Sequence, residues 1–302
     1  MLDENELLPQ YLMMWFRRPE FDRYARFMSH GSAREIFSWD ELCNTELPMP
    51  TIEKQREIVA EYHTIQNRIT LNNQLIQTLE TTAQAIYKQW FVEFEFPNEA
   101  GQPYKSSGGE LVDSELGEIP KGWEATTIKN YSLKMRSGGT PDRGEEVFWD
   151  SNDIPWLKTG EVANKILMYG EGKTKGQAAY LRFEAAVNQA CCAIICENEF
   201  LSTLLYFFFR INQAQIASMA NGGAQPNLSK ELIENVKIIL PSDEVLARHP
   251  FIQIVNHCEK LEREKINLGS LTNLLLSKLA TIESPTPAPA ANQPAQLTLA
   301  FA

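Results

Sequence analysis

Three glycine-punctuated segments in the middle of the chain carry side chains suited to contact with a nucleic acid. GEGKTKGQ (170–177) presents Lys173, Thr174, Lys175 and Gln177 from a loop broken by glycines. RSGGTP (136–141) sets Gly138 and Gly139 between Arg136 and Arg143, and NGGAQPNLS (221–229) sets two glycines beside Gln225 and Asn227. The cations, with Lys158 of IPWLKTGEV, can pair with phosphate. Gln and Asn can bond adenine through two hydrogen bonds at once, and glycine lets one backbone come close to another surface or take a positive φ. Each segment also has a plainer reading. GEGKTKGQ taken alone is more often a solvated hairpin turn. In the third segment Ser229 suits a helix N-cap, which leaves Gln225 to reach outward.

These residues do not make a catalytic centre. GKT at 172–174 ends like a phosphate-binding P-loop, but the pattern needs Gly five residues before Gly172, where Leu167 stands. Gly176 also interrupts the helix that should follow. Cys191, Cys192 and Cys196 are closely spaced, yet no second Cys or His pair follows at ligand distance and their flanks read as strand. With Cys43 and Cys258 they make five, an odd number in apolar surroundings, which reads as buried thiols in a reducing compartment. His30, His63, His249 and His257 are scattered, with no neighbouring nucleophile or carboxylate to activate. No methyltransferase motif, dinucleotide fingerprint or nuclease carboxylate–lysine cluster occurs. The chain is therefore expected to be no enzyme, with no metal site and no cofactor of its own.

Charge narrows the partners. Against 28 Lys+Arg stand 39 Asp+Glu, a net −11, which excludes a binder working by basic excess alone. Residues 123–241, however, hold 12 basic and 13 acidic side chains, so the acid excess lies elsewhere and any polyanion contact is expected in that segment. A 43% hydrophobic content can offset the entropy of ordering, which excludes disorder for most of the chain. No charge-free run of about 18 apolar residues occurs, and Asp3, Glu4, Glu6, Arg17 and Arg18 stand where a signal peptide would be apolar. A cytoplasmic protein without membrane contact is expected.

The elements that must hold these loops show an internal repeat. A shift of 191 residues lays YLMMWF (11–16) on STLLYF (202–207), HGSA (30–33) on NGGA (221–224), Ser38 on Ser229, Asn44 on Asn235 and Pro50 on Pro241. After each copy comes a heptad-patterned stretch. From Ile58, steps of 4 and 3 reach Tyr62, Ile65, Ile69, Asn72, Ile76, Leu79, Ala83, Ile86 and Trp90. From Ile254 they reach Cys258, Leu261, Lys265, Leu268, Thr272, Leu275, Leu279 and Ile282, with Leu271 and Leu274 widening the face. Helices of these lengths run about 50 and 45 Å. Each stripe needs a partner, and the economical one is the other helix, antiparallel, with Asn72 and Thr272 helping to fix register. The alternative is that each helix packs only on its own globule.

Short runs rich in Trp, Val, Ile and Tyr, separated by turn residues, give 123–241 the signature of a mainly β or α+β domain. The expected division is 1–50, the closing part of a first globular domain; 51–96, the first long helix; 97–122, a linker without strand or helix period; 123–241, the second globular domain; 242–283, the second long helix; and 284–302, a disordered Pro/Ala-rich tail. The fold class is α+β, one α/β globular domain with two long antiparallel coiled-coil helices and a remnant of another domain.

Several segments, in order, tie this arrangement to a known family: LPMPTIEKQREIVAEY (47–62), AIYKQWFVEFEFP (85–97), ELGEIPKGWE (115–124), SGGTP (137–141), IPWLKTGEV (154–162), YGEGKTKGQAA (169–179) and NQACCAI (188–194). Together they resemble the specificity (S) subunit of type I restriction-modification systems. The resemblance implies two target recognition domains, each reading half of a bipartite double-stranded DNA site, held apart by two helices that pair as a ruler. It implies that the helices dock methyltransferase (M) subunits, that a restriction (R) subunit joins, and that S-adenosylmethionine, ATP and Mg2+ enter through those partners. The sequence departs from the family in having little of a first recognition domain and a short stretch between Val162 and Met168. That suggests a truncated S subunit or one fragment of a split one, which dimerisation would restore to a two-domain ruler. A remnant that only scaffolds the methyltransferase, without reading DNA, is the alternative. A fused restriction-modification enzyme is disfavoured by the missing catalytic motifs.

Overall fold

The computed structural model describes residues 5–30, 36–150, 154–157, 168–169, 176–182, 184–220 and 228–279. It is α+β and forms two compact units, one made of residues up to Ile76 and from Glu259, the other of Gln77–Cys258.

In the first unit, helices α1 (Pro9–Phe16) and α2 (Pro19–Met28) each open on a proline, whose missing N–H costs nothing there. Helix α3 (Trp39–Cys43) opens on a capping box: Ser38 accepts from the Glu41 N–H, and the Glu41 carboxylate bonds back to the Ser38 N–H. The long α4 (Ile52–Tyr87) is pinned at its start by Gln55. This fully buried side chain donates to the Glu6 and Pro50 carbonyls and accepts from the Leu8 N–H. The apolar face of α1 packs through Tyr11, Leu12, Met14 and Trp15 on Ile58 and Tyr62 of α4 and on Leu276 of α9 (Phe251–Lys278), with Leu279 just beyond it.

The expected helix pairing is present in this unit. Gln66 donates to Thr272 at 3.1 Å, Arg68 makes a two-pronged contact with Glu264 at 2.8 and 3.0 Å, and Asn72 donates to Glu264 at 2.9 Å. Rising positions on α4 meet falling positions on α9, so the two run antiparallel. Asn72 is fully buried with its Oδ1 unpartnered, while Ile65, Ile69, Ile76, Leu268 and Leu275 are half-buried and Leu261 is buried. Leu271 and Leu274, expected to widen the seam, face solvent, and Leu276 is buried instead. A straight helix drifts about 20° per heptad from a 3.5-residue stripe, which carries the contact one position along.

The second unit begins within α4, at Gln77, and the helix ends there in a π-turn (Lys88–Val92). Residues 97–122, expected as a linker without strand period, contain an antiparallel hairpin of β1 (Leu111–Ser114) and β2 (Gly117–Pro120), turned at Gly117 with φ +95°. Strand β3 (Glu124–Thr127) pairs antiparallel with the last strand, β9 (Lys237–Leu240), and closes the globule. Helix α5 (Ile128–Tyr131) covers α7 (Lys230–Glu234) and β9. Strands β4 (Lys134–Ser137), β8 (Cys191–Ile195) and β6 (Met168–Tyr169) form a sheet in the order β4-β8-β6, and β5 (Trp156–Leu157) runs parallel to β7 (Ala186–Val187). Helix α6 (Glu199–Ser218) supplies Leu204, Leu205, Phe207, Phe209 and Ile216 to the core. The expected continuous helix over 242–283 is two helices, α8 (Asp243–Arg248) and α9, split at Pro250. Proline drives the residue before it out of the helical region, and His249 has φ −66°, ψ 144°.

The repeat survives in the backbone. The 191-residue shift maps α3 onto α7 end for end, maps the Ser38 cap onto the Ser229 cap, and matches buried Leu47 with buried Ile238.

Candidate nucleic-acid interface

Strand β4 carries the first candidate cation to the surface. Arg136 lies opposite Ala193 of β8 and its side chain is exposed. The chain then turns through Gly138 and Gly139, which the structure holds by different means. Gly138 donates its N–H to the Cys191 carbonyl at 3.1 Å, and a Cβ there would stand 2.1 Å from the Val187 and Asn188 carbonyl oxygens. Its glycine is required by packing inside the domain. Gly139 donates to the Val187 carbonyl at 2.9 Å, accepts from the Trp156 indole N–H at 3.2 Å, and has open space where a Cβ would go. Neither glycine has a positive φ, so of the two uses expected of them Gly138 shows the close backbone approach and not the left-handed conformation. Thr140 donates to Gln189 at 2.6 Å and ties the turn to NQACCAI.

Gln177 is exposed, just after Gly176, which does have a positive φ of +76° and lies against the Gln213 carbonyl of α6. Lys158, Lys173, Thr174, Lys175, Gln225 and Asn227 lie outside the described residues. Ser229 is the N-cap of α7, accepting from the Leu232 N–H at 3.2 Å. Cys192 and Cys196 are buried or nearly so, and burial pushes both thiols up to about 11, so they stay protonated and unreactive at neutral pH. Among the described residues no three His, Cys, Asp or Glu side chains come together to hold a metal. No described helix is long and apolar enough to cross a membrane.

The family described as type I restriction modification DNA specificity domain matches residues 120–267, a span that runs from β2 through the globule into α9. Residues 120–267 thus carry a type I restriction-modification DNA specificity domain. It is 23% identical over 317 residues to the specificity subunit of the type I restriction enzyme MjaIX of Methanocaldococcus jannaschii, covering 92% of this chain and 69% of that one. It is 22% identical over 357 residues to the HindI specificity subunit of Haemophilus influenzae, covering 91% and 77%. A crystal structure of the type I S subunit from M. genitalium shares the fold, with a TM-score of 0.55 at 17% identity, over 92% of this chain and 74% of that one.

The specificity domain owes its attachment to residues that sequence reasoning missed. Trp123, at its opening, is clasped by Phe91, Phe94 and Phe96 at ring separations of 5.7, 5.7 and 5.0 Å, and Tyr104 stacks on Phe96 at 4.5 Å. Phe94 is held at φ +59° to take part. The motifs AIYKQWFVEFEFP and PKGWE thus form one aromatic clamp between the end of α4 and the start of the domain. His249 is buried in the same aromatic cluster, its ring 6.4 Å from that of Phe91. Its Nε2 bonds the Phe200 carbonyl at 3.2 Å and its Nδ1 accepts from the Phe251 N–H at 3.4 Å. Only the neutral ring with its proton on Nε2 satisfies both bonds, consistent with burial holding its pKa below the ordinary 6.5. Arg210 of α6 reaches Glu80 of α4 at 3.2 Å. Spacing alone offered no signal for these contacts, because each joins segments far apart in the chain.

Proposed function

We propose that this chain is a non-catalytic subunit that reads one half of a bipartite DNA target through residues 123–241 and holds methyltransferase subunits along α4 and α9. The observation that carries this reading is the in-register antiparallel pairing of those helices, which leaves Leu71 and Leu75 of α4 and Ile266, Leu271 and Leu274 of α9 exposed. Apolar side chains repeated on the outside of a paired helix rod are a surface awaiting a partner. The DNA contacts are assigned to Arg136, Gly139, Lys158, Lys173, Thr174, Lys175, Gln177, Gln225 and Asn227, the cations to phosphate and the amides to base edges. Gly138 serves as scaffold for them. A restriction subunit completes the assembly, with S-adenosylmethionine, ATP and Mg2+ brought by the partner subunits, and the site of action is the cytoplasm.

The test is co-purification with a type I methyltransferase subunit co-expressed with this chain. Replacing Leu71 and Leu75 together by Glu should lower its affinity at least tenfold while near-ultraviolet dichroism stays unchanged. Undiminished co-purification would remove the helices from the docking surface.

A further inference from the structure

The recognition domain carries a second exposed apolar surface that the DNA-reading role does not use. Between β4 and β5 the chain makes a 3₁₀ turn, Glu146–Phe148, and there Val147 is 69% exposed and Phe148 61%, followed by partly exposed Trp149. Three consecutive large apolar side chains in solvent are not what a folded domain tolerates without a use. The turn is braced. The Trp149 indole N–H donates to the Asp142 carbonyl at 2.9 Å, the Asp142 carboxylate accepts from the Gly144 N–H at 2.9 Å, and Trp149 meets Trp156 edge-on at 5.5 Å. Trp156 in turn is tied to Gly139. Val147 and Phe148 are thus presented by a turn held from behind, as anchor residues at protein interfaces are.

Charge decides what meets them. Within the described segment 142–150, exposed Asp142, Glu145, Glu146 and Asp150 flank the anchors along the chain, against one cation, Arg143. A duplex presenting a phosphate charge every few ångströms is repelled by such a rim. A protein that grips the same DNA must expose cationic surface of its own and is attracted by it. We infer that the acidic-rimmed Val147–Phe148 turn is a second docking point for the methyltransferase, filling an apolar pocket edged by Lys or Arg, beside the DNA and not on it. This rests on the complex proposed above.

The test compares the intact chain with V147S/F148S, two exposed substitutions that leave the braced turn in place. Two affinities are measured on the same preparations, one for the purified methyltransferase subunit and one for DNA carrying the selected half-site. The expected result is a loss of at least tenfold toward the methyltransferase, with half-site affinity within twofold. Replacing Glu145 and Glu146 by Gln should weaken the methyltransferase contact and flatten its dependence on salt. Unchanged methyltransferase affinity in V147S/F148S overturns the inference. So does loss of half-site binding in that variant, which would make Phe148 a base-stacking residue. If the unaltered chain captures no methyltransferase at all, the functional reading fails first and this inference with it.

Discussion

Gly138 and Gly139 look alike in the sequence and should respond oppositely to the addition of one methyl group. Neither has a positive φ, so alanine is conformationally allowed at both, and space alone separates them. At Gly138 the new Cβ would stand 2.1 Å from two carbonyl oxygens, Val187 and Asn188, and 2.5 Å from the Val187 carbonyl carbon. Ordinary contact needs about 1 Å more, and all three atoms are backbone, so β4 and the β7–β8 turn must separate. That endangers the Gly138 bond to Cys191 and the Gly139 bond to Val187. Two such bonds at about 1 kcal/mol each, with the usual cost of overpacking, place the loss for Gly138→Ala at about 2–4 kcal/mol. At Gly139 nothing lies within reach of a Cβ, and Gly139→Ala should change stability by less than about 0.5 kcal/mol. Urea unfolding followed by tryptophan fluorescence reads the difference. With a slope of about 2 kcal/mol per molar, the Gly138→Ala midpoint should fall by about 1–2 M with the slope unchanged. Equal midpoints for the two variants would refute the assignment of Gly138 to packing.

His249 makes the fold sensitive to acid. Its folded pKa lies below 6.5 because burial disfavours the charged ring, so its stabilising effect is complete above about pH 6.5 and is lost as pH falls from there toward the folded value. The stability of the intact chain should drop between pH 7.5 and 5.5 by more than that of His249→Gln; equal slopes in urea titrations would contradict this. Asn72→Leu should stabilise the chain by about 1 kcal/mol, since it removes a buried oxygen without a partner at the cost of one bond to Glu264, and a lowered urea midpoint would show that the polar layer stabilises more than it costs. Lys173→Ala or Lys175→Ala should weaken DNA binding on all sequences and reduce the slope of log affinity against log salt by about 0.9. Gln225→Ala should alter sequence preference and leave that slope as it was.

What could be read from the sequence is what short range dictates. The Ser38 and Ser229 caps, the strand around Cys191–Cys192 and the run of α4 from just after Pro50 all follow from local chemistry and periodicity. The antiparallel seam was legible because its stripe runs four heptads, though the identity of the buried leucine near 275 was not, since helix drift decides it. The break at Pro250 was signalled by the proline, but the heptads that follow it suggested one continuous helix. Gly and Ser density around 106–109 concealed the β1–β2 hairpin, whose strands are four residues each. The Trp123 clamp, the Gln55 pin and the His249 bonds had no sequence signature, because each is made by residues brought together only by the fold. Of the DNA-contact candidates, Arg136, Gly139 and Gln177 are exposed, and Gly138 owes its identity to the backbone behind it.

The central claim is selective reading of DNA by the domain that β3 and β9 close. It is tested most directly by selecting bound duplexes from a randomised pool with the chain in complex with its methyltransferase. Enrichment of a fixed short sequence, shifted or lost on Gln225→Ala, is the predicted result. A complex that retains the methyltransferase yet enriches no sequence over several rounds would contradict it and leave the chain a scaffold.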